Sequence, residues 1–190
     1  QRPIPIFAYG SLIWNPGFAV QSHRRATAIG WHRRFSIPLD HFRGSPDRPG
    51  LMLALGSGGS CDGLVLEIAE GTEAQSLRDV LRRELVAHEL SDNARWIDIE
   101  TDRGRETALT FYANPVGTSV IELTVEEQAR RLARAAGAAG SGAEYLLRTV
   151  QGLAEHGIRD DYIWSLQRLV AEEIETIAAG ASAVPAKTSG

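Results

Sequence analysis

The sequence predicts an α+β fold, a small mixed β-barrel or sheet with surrounding helices. Three observations carry that expectation. The first two-thirds of the chain is rich in short apolar runs separated by clear breakers. An amphipathic helix pattern and a hairpin pattern follow those runs. The last third has helical periodicity opened by capping motifs. Strands, one helix, a hairpin and then trailing helices are the order of an α+β domain.

The elements follow in order. Ile4 to Ala8 reads as a buried strand that ends in a Gly10-Ser11 turn and the loop Asn15-Pro16-Gly17. Further strands are expected over Ala26–Gly30, Trp31–Pro38, Leu51–Leu55 and Asp62–Ile68. The breakers between them are Arg43-Gly44-Ser45-Pro46, Pro49-Gly50 and the run Gly56 to Ser60. Thr72-Glu73-Ala74-Gln75 has the form of a capping box, and Leu77, Val80, Leu81 and Leu85 form the apolar stripe of the helix it opens. Ala94–Thr101 and Glu106–Ala113 form a hairpin around Asp102-Arg103-Gly104, ended by Asn114-Pro115. Thr124 to Glu127 is a second capping box and Ser141 to Glu144 a third, whose helix Gly157 stops. A final helix begins near Asp161. One domain is expected over residues 1–178, with a disordered tail over 179–190.

Composition narrows the function. A chain of 190 residues can bury a sizeable core, and a net charge of -4 gives no reason to expect nucleic acid. Lys and Arg total 20, are almost all arginine and are scattered along the chain. No apolar run approaches the roughly 18 residues of a membrane span, and no signal-peptide pattern precedes the first strand. The single cysteine, Cys61, rules out an internal disulfide and fits a cytoplasmic protein. At the edge of an apolar strand it reads as a small buried residue. The five histidines are dispersed without ligand spacing, so no metal is expected. No Walker or dinucleotide fingerprint is present, and Ile13 occupies the place of the second glycine of a hydrolase elbow at Ser11. No cofactor is therefore expected.

Two features point to a site. A strand ending in Gly10-Ser11 leaves adjacent N–H groups free to face an anion, although most such pairs are only turns. The other feature is Glu84, near the centre of the apolar arc of its helix, with Arg78, Asp79, Arg82 and Arg83 on the outer side or flanks. An ionised carboxylate in apolar surroundings must be paired or have a raised pKa. One reading is a structural pair with an arginine from a neighbouring element. The other is a general acid/base tuned toward neutral pH. His88, one turn on, is its partner or only marks the helix end.

Taken together, these residues resemble the ChaC family of γ-glutamylcyclotransferases. Phe7 to Pro16 resembles the family's N-terminal signature, and Gly30 to Phe35 its second block. His41-Phe42-Arg43-Gly44 with Arg48-Pro49-Gly50, then Gly59 to Gly63, then Arg83-Glu84 follow in order. Asn114-Pro115 and Glu144-Tyr145-Leu146 complete the match. The resemblance implies a mixed β-barrel with packed helices. It implies cofactor-free conversion of glutathione to 5-oxoproline and cysteinylglycine. It also implies Glu84 as catalytic acid/base, and a substrate-holding loop of Ala8, Tyr9, Gly10, Ser11 and Leu12, with Tyr145. The chain departs from the pattern at His88-Glu89-Leu90 and at Gly142. Those changes leave the base in place and bear on the leaving-group side.

A γ-glutamyl compound carries its own nucleophile, the α-amine, placed to close a five-membered ring on the γ-carbonyl. One carboxyl group can take the proton and return it to the leaving amine. The Gly10-Ser11 turn can hold the oxyanion or the α-carboxylate, and both assignments stand at this level. Alternatives to glutathione are another γ-glutamyl amino acid or amine, or a non-catalytic γ-glutamyl-binding regulatory module. The expected partner is a small molecule, with no nucleic acid and no membrane, and the chain is expected to be a monomer or weak dimer.

Overall fold

The computed structural model describes residues 4–85, 93–112 and 119–182. Five strands close into a barrel: β1 (Pro5–Ala8), β2 (Val20–Leu39), β3 (Gly50–Ile68), β4 (Ala94–Thr101) and β5 (Gly104–Phe111). Their order around the barrel is β1-β3-β2-β4-β5. The neighbours pair antiparallel except at the closure, where β5 runs parallel to β1 with Ile6 beside Leu109. Both mixed-sheet character and closure agree with the expected fold class.

The largest difference from expectation lies in β2 and β3. Ala26–Gly30 and Trp31–Pro38 are one strand, as are Leu51–Leu55 and Asp62–Ile68. The Gly56–Ser60 run does not break the strand. Ile29 pairs with Ser60 and Trp31 with Ser57, so a bulge sits between them. Gly58 and Gly59 have φ of 100° and 73° there, a left-handed backbone that glycine adopts without a Cβ clash. A bulge bends a strand and increases its twist, which lets one long ribbon wrap into a small barrel.

Strand alternation splits the core in two. Phe7, Ala26, Ala28, Leu55, Cys61, Val65, Ile97, Ile99 and Ala108 fill the barrel interior. Ile6, Ala8, Leu64, Leu66 and Ile68 face outward against the helices. Those helices are α1 (Ser11–Trp14), α2 (Glu73–Glu84), α3 (Val125–Arg134), α4 (Gly142–Glu155) and α5 (Asp161–Ser182). A two-residue ladder, β6 (Ala136–Gly137) with β7 (Gly140–Ser141), joins α3 to α4. Cys61 is buried, and its thiol accepts from Arg33 Nη2 at 3.2 Å. Arg33 also meets Asp160 at 3.3 Å, and Asp160 caps α5 by accepting from Ile163 N–H at 3.0 Å. That buried arginine ties the barrel to the last helix.

The helix ends test the capping motifs individually. The Thr124–Glu127 box is complete, with both reciprocal bonds formed. At Ser141 only the first half forms, from Glu144 N–H to the serine hydroxyl at 3.0 Å. The Thr72 box does not form. Its hydroxyl donates to Ala69 O at 2.8 Å and bonds the Ser76 hydroxyl at 3.0 Å, and with Thr72 at ψ 2° rather than extended it accepts from no helix N–H. Gly157, at φ 65°, ends α4 with Ile158 N–H on Leu153 O and its own N–H on Ala154 O, a Schellman closure. The last helix continues to Ser182, four residues into the stretch expected to be a disordered tail. His88, Asn114 and Pro115 lie outside the described residues, as does the tail beyond Ser182. Among the described residues no helix is long and apolar enough to cross a membrane.

Candidate active site

The site forms where β1, α1, α2 and α4 meet. β1 ends at Ala8, and Gly10 caps the single turn α1. The sequence suggested only a turn and loop here. Instead Ile13 N–H bonds Gly10 O at 3.0 Å, and Asn15 N–H bonds Ser11 O at 2.8 Å. Leu12 and Ile13 are buried and anchor the turn. Ala8 and Leu12 therefore place their side chains in the core, and only their backbones can meet a ligand.

Tyr145 comes from the first turn of α4. Its phenol lies in the electrostatic reach of Ser11, which pulls its pKa down against the effect of burial. Trp14 and Phe35 hold the ring edge-to-face, each at 5.9 Å, and the Arg43 guanidinium lies 5.3 Å from its centroid. Burial, followed by the Glu84 carboxylate, pushes the phenol up to about 12. Tyr9 is raised in the same way, by burial first, then by Glu84 and Tyr145. Both phenols thus stay protonated donors at neutral pH. A Cβ on Gly10 would lie 3.2 Å from the Tyr145 hydroxyl and 3.2 Å from Leu53 Cδ2, so a bare glycine keeps this approach open.

Glu84 is the last residue of α2, with its side chain 21% exposed. Burial raises its pKa above the ordinary carboxylate value, and Arg83 opposes that shift without cancelling it. The arginine beside it belongs to its own helix, not to a neighbouring element: Arg83 Nε lies 3.3 Å from Glu84 Oε1. Arg83 also differs from its expected place on the outer flank. Its guanidinium donates to Ser11 Oγ at 2.8 Å and to the Asn15 carbonyl. It fastens the α1 turn to the carboxylate-bearing helix. Sequence reasoning kept Arg83 out of the site, although its adjacency to Glu84 was the available signal. Arg43 was equally unassigned.

Glu84, Tyr9, Gly10, Ser11 and Tyr145 therefore converge. Among the described residues no group of three or more His, Cys, Asp or Glu side chains could hold a metal. The arrangement offers one proton-accepting carboxylate, two neutral phenol donors and a turn with backbone N–H groups beside a guanidinium. That set suits proton transfer next to an anionic, amine-bearing substrate.

Comparison with known proteins agrees with the geometry. The family model for ChaC-like proteins matches residues 4–173. The chain belongs to the ChaC-like family. An Escherichia coli (strain K12) relative named glutathione-specific gamma-glutamylcyclotransferase is 34% identical over 178 residues, spanning 90% of this ChaC-like chain and 76% of the relative. Gamma-glutamylcyclotransferase 2-3 of Arabidopsis thaliana is 27% identical, spanning 94% of this chain and 96% of its own. A crystal structure of a yeast gamma-glutamyl cyclotransferase specific to glutathione superposes with a TM-score of 0.77 at 19% identity, covering 91% of this chain and 97% of that one. The ChaC-like barrel with its packed helices is thus the fold that protein has.

Proposed function

We propose that this ChaC-like protein is a γ-glutamylcyclotransferase that converts glutathione (γ-Glu-Cys-Gly) to 5-oxoproline and Cys-Gly. Its relatives' names support the reaction class. The observation that carries the mechanism is the largely buried Glu84 carboxylate, its pKa raised, in one site with Tyr9, Tyr145 and the Ser11 turn.

Glu84 takes a proton from the substrate α-ammonium. The freed amine attacks the γ-carbonyl carbon and forms the ring C–N bond. The tetrahedral oxyanion and the α-carboxylate both need donors, which the turn N–H groups, Arg83 and the two phenols supply. On collapse the C–N bond to cysteine breaks, the proton held by Glu84 passes to the leaving nitrogen, and the ring nitrogen gives up its second proton to the departing amine by way of the same carboxylate, leaving a neutral lactam and an ammonium. A raised pKa suits the same carboxyl to these transfers. Because the nucleophile is part of the substrate, ring closure needs no bimolecular encounter. No cofactor enters this scheme.

The same reading takes residues 1–178 as the working domain, acting as a monomer or weak dimer on a small cytoplasmic molecule. Product analysis tests it. Incubation with glutathione should release 5-oxoproline and Cys-Gly in equal amounts. Free glutamate as the product would replace cyclisation with hydrolysis, and 5-oxoproline only from other γ-glutamyl compounds would move the substrate.

A further inference from the structure

The barrel mouth carries a cation that the proposed reaction does not yet use. On β4, Ile97 and Ile99 face the barrel interior. Strand alternation puts Arg95 on that same face, one rung nearer the strand's start. Tyr112, just past β5, follows Ala108 by the same alternation. The parallel register of Ile6 with Leu109 puts the chain after Ala8, with Tyr9, and the chain after Phe111, with Tyr112, at the same end of the barrel on neighbouring strands. Tyr9, Trp31 and Tyr112 all pack on the barrel-interior cluster. Tyr9, Trp31, Tyr112 and Arg95 therefore share one rim.

The Arg95 guanidinium lies 5.4 Å from the Trp31 ring centroid and 5.4 Å from that of Tyr112. The two rings meet edge-to-face at 5.4 Å. Among the described residues no carboxylate pairs with Arg95, and its contacts are these two aromatic faces. A guanidinium steadied by ring faces keeps its N–H edges for a planar anion such as a carboxylate. Glutathione has a second carboxylate two residues beyond the γ-carbonyl, within about 7 Å when extended. With the reacting carbon near Tyr9 and Glu84, a leaving peptide directed along the rim would carry that carboxylate toward Arg95.

Resting on the cyclotransferase reading, we infer that Arg95, steadied by Trp31 and Tyr112, binds the terminal carboxylate of the leaving peptide. It is a specificity-determining residue and favours a peptide leaving group over an uncharged amine.

The test compares glutathione with its glycine-carboxamide analogue, measuring 5-oxoproline release by the wild type, Arg95→Met and Arg95→Lys. The wild type should prefer the free acid. Arg95→Met should lose roughly tenfold to a hundredfold in kcat/KM on glutathione, mainly through KM, as expected for a charged hydrogen bond. Its rate on the amide should hold, so the preference collapses, and Arg95→Lys should recover part of it. An acid-to-amide ratio unchanged by Arg95→Met would overturn the subsite while leaving the cyclotransferase intact. No 5-oxoproline from the wild type with either compound would overturn the underlying reading, and the subsite with it.

Discussion

Replacing Glu84 by glutamine separates the charge of this side chain from its shape. Gln keeps the size and the hydrogen bonds but cannot accept a proton. General acid/base catalysis contributes about a hundredfold to ten-thousandfold, or roughly 3–5 kcal/mol of barrier, and Glu84→Gln should lose that much in kcat. Stability gives a second, independent readout. Burial raises the Glu84 pKa in the folded protein above its unfolded value, so the folded state binds the proton more tightly. The stabilisation linked to that proton is complete below the unfolded pKa, near 4.5. It is lost as pH rises through the higher folded pKa. At neutral pH the charged carboxylate is therefore a burden on the fold, and its neutral replacement should raise Tm. That advantage should disappear below about pH 4. Arg83, 31% exposed, keeps enough solvent to tolerate the loss of its neighbour. A structural ion pair predicts the reverse, because removing one partner of a buried pair costs about 3–5 kcal/mol. The assay pairs 5-oxoproline release with thermal unfolding at pH 4 and pH 8. Activity within a few-fold of wild type, or a lower Tm at pH 8, would refute the reasoning.

Further outcomes follow from the same geometry. Gly10→Val brings side-chain atoms against Leu53 and the Tyr145 hydroxyl, and should raise KM for all γ-glutamyl substrates alike; a change in leaving-group preference would place the turn elsewhere. Arg83→Ala removes the bonds to Ser11 and Asn15 and should cost roughly tenfold or more in kcat/KM, with an unchanged value showing the fastening to be dispensable. Exhaustive chelation should leave turnover intact, and so should Cys61→Ser, since the proposed nucleophile belongs to the substrate. Loss with chelator, restored by one metal, would contradict the cofactor-free route.

Much of this was legible in the sequence because it rests on periodicity. The Glu84 position in an apolar stripe, the β4–β5 hairpin and the helix stop at Gly157 are local patterns with local causes. What was not legible depends on contacts across the chain. The glycine run in β3 reads as a break until its partner strand supplies the opposing bulge. The Thr72 box fails because Thr72 sits at ψ 2° rather than extended and its hydroxyl turns to Ala69 and Ser76, which spacing does not reveal. Arg83 looks like a flank residue on a helical wheel. Placing Ser11 and Asn15 beside the end of α2, 68 or more residues away in sequence, turns it into the site. The resemblance names Tyr9 and Tyr145 for the site, but that both phenols lie near Glu84 is visible only in the fold.

In the proposed mechanism the substrate's α-amine is the nucleophile, so blocking that nitrogen alone is the most direct test. Glutathione and N-acetyl-glutathione, acetylated on the γ-glutamyl α-amine, should be incubated with the enzyme and their products separated. Glutathione should give 5-oxoproline, and the acetylated compound should remain uncleaved. Cleavage of the acetylated compound, or free glutamate from glutathione, would contradict intramolecular cyclisation at Glu84.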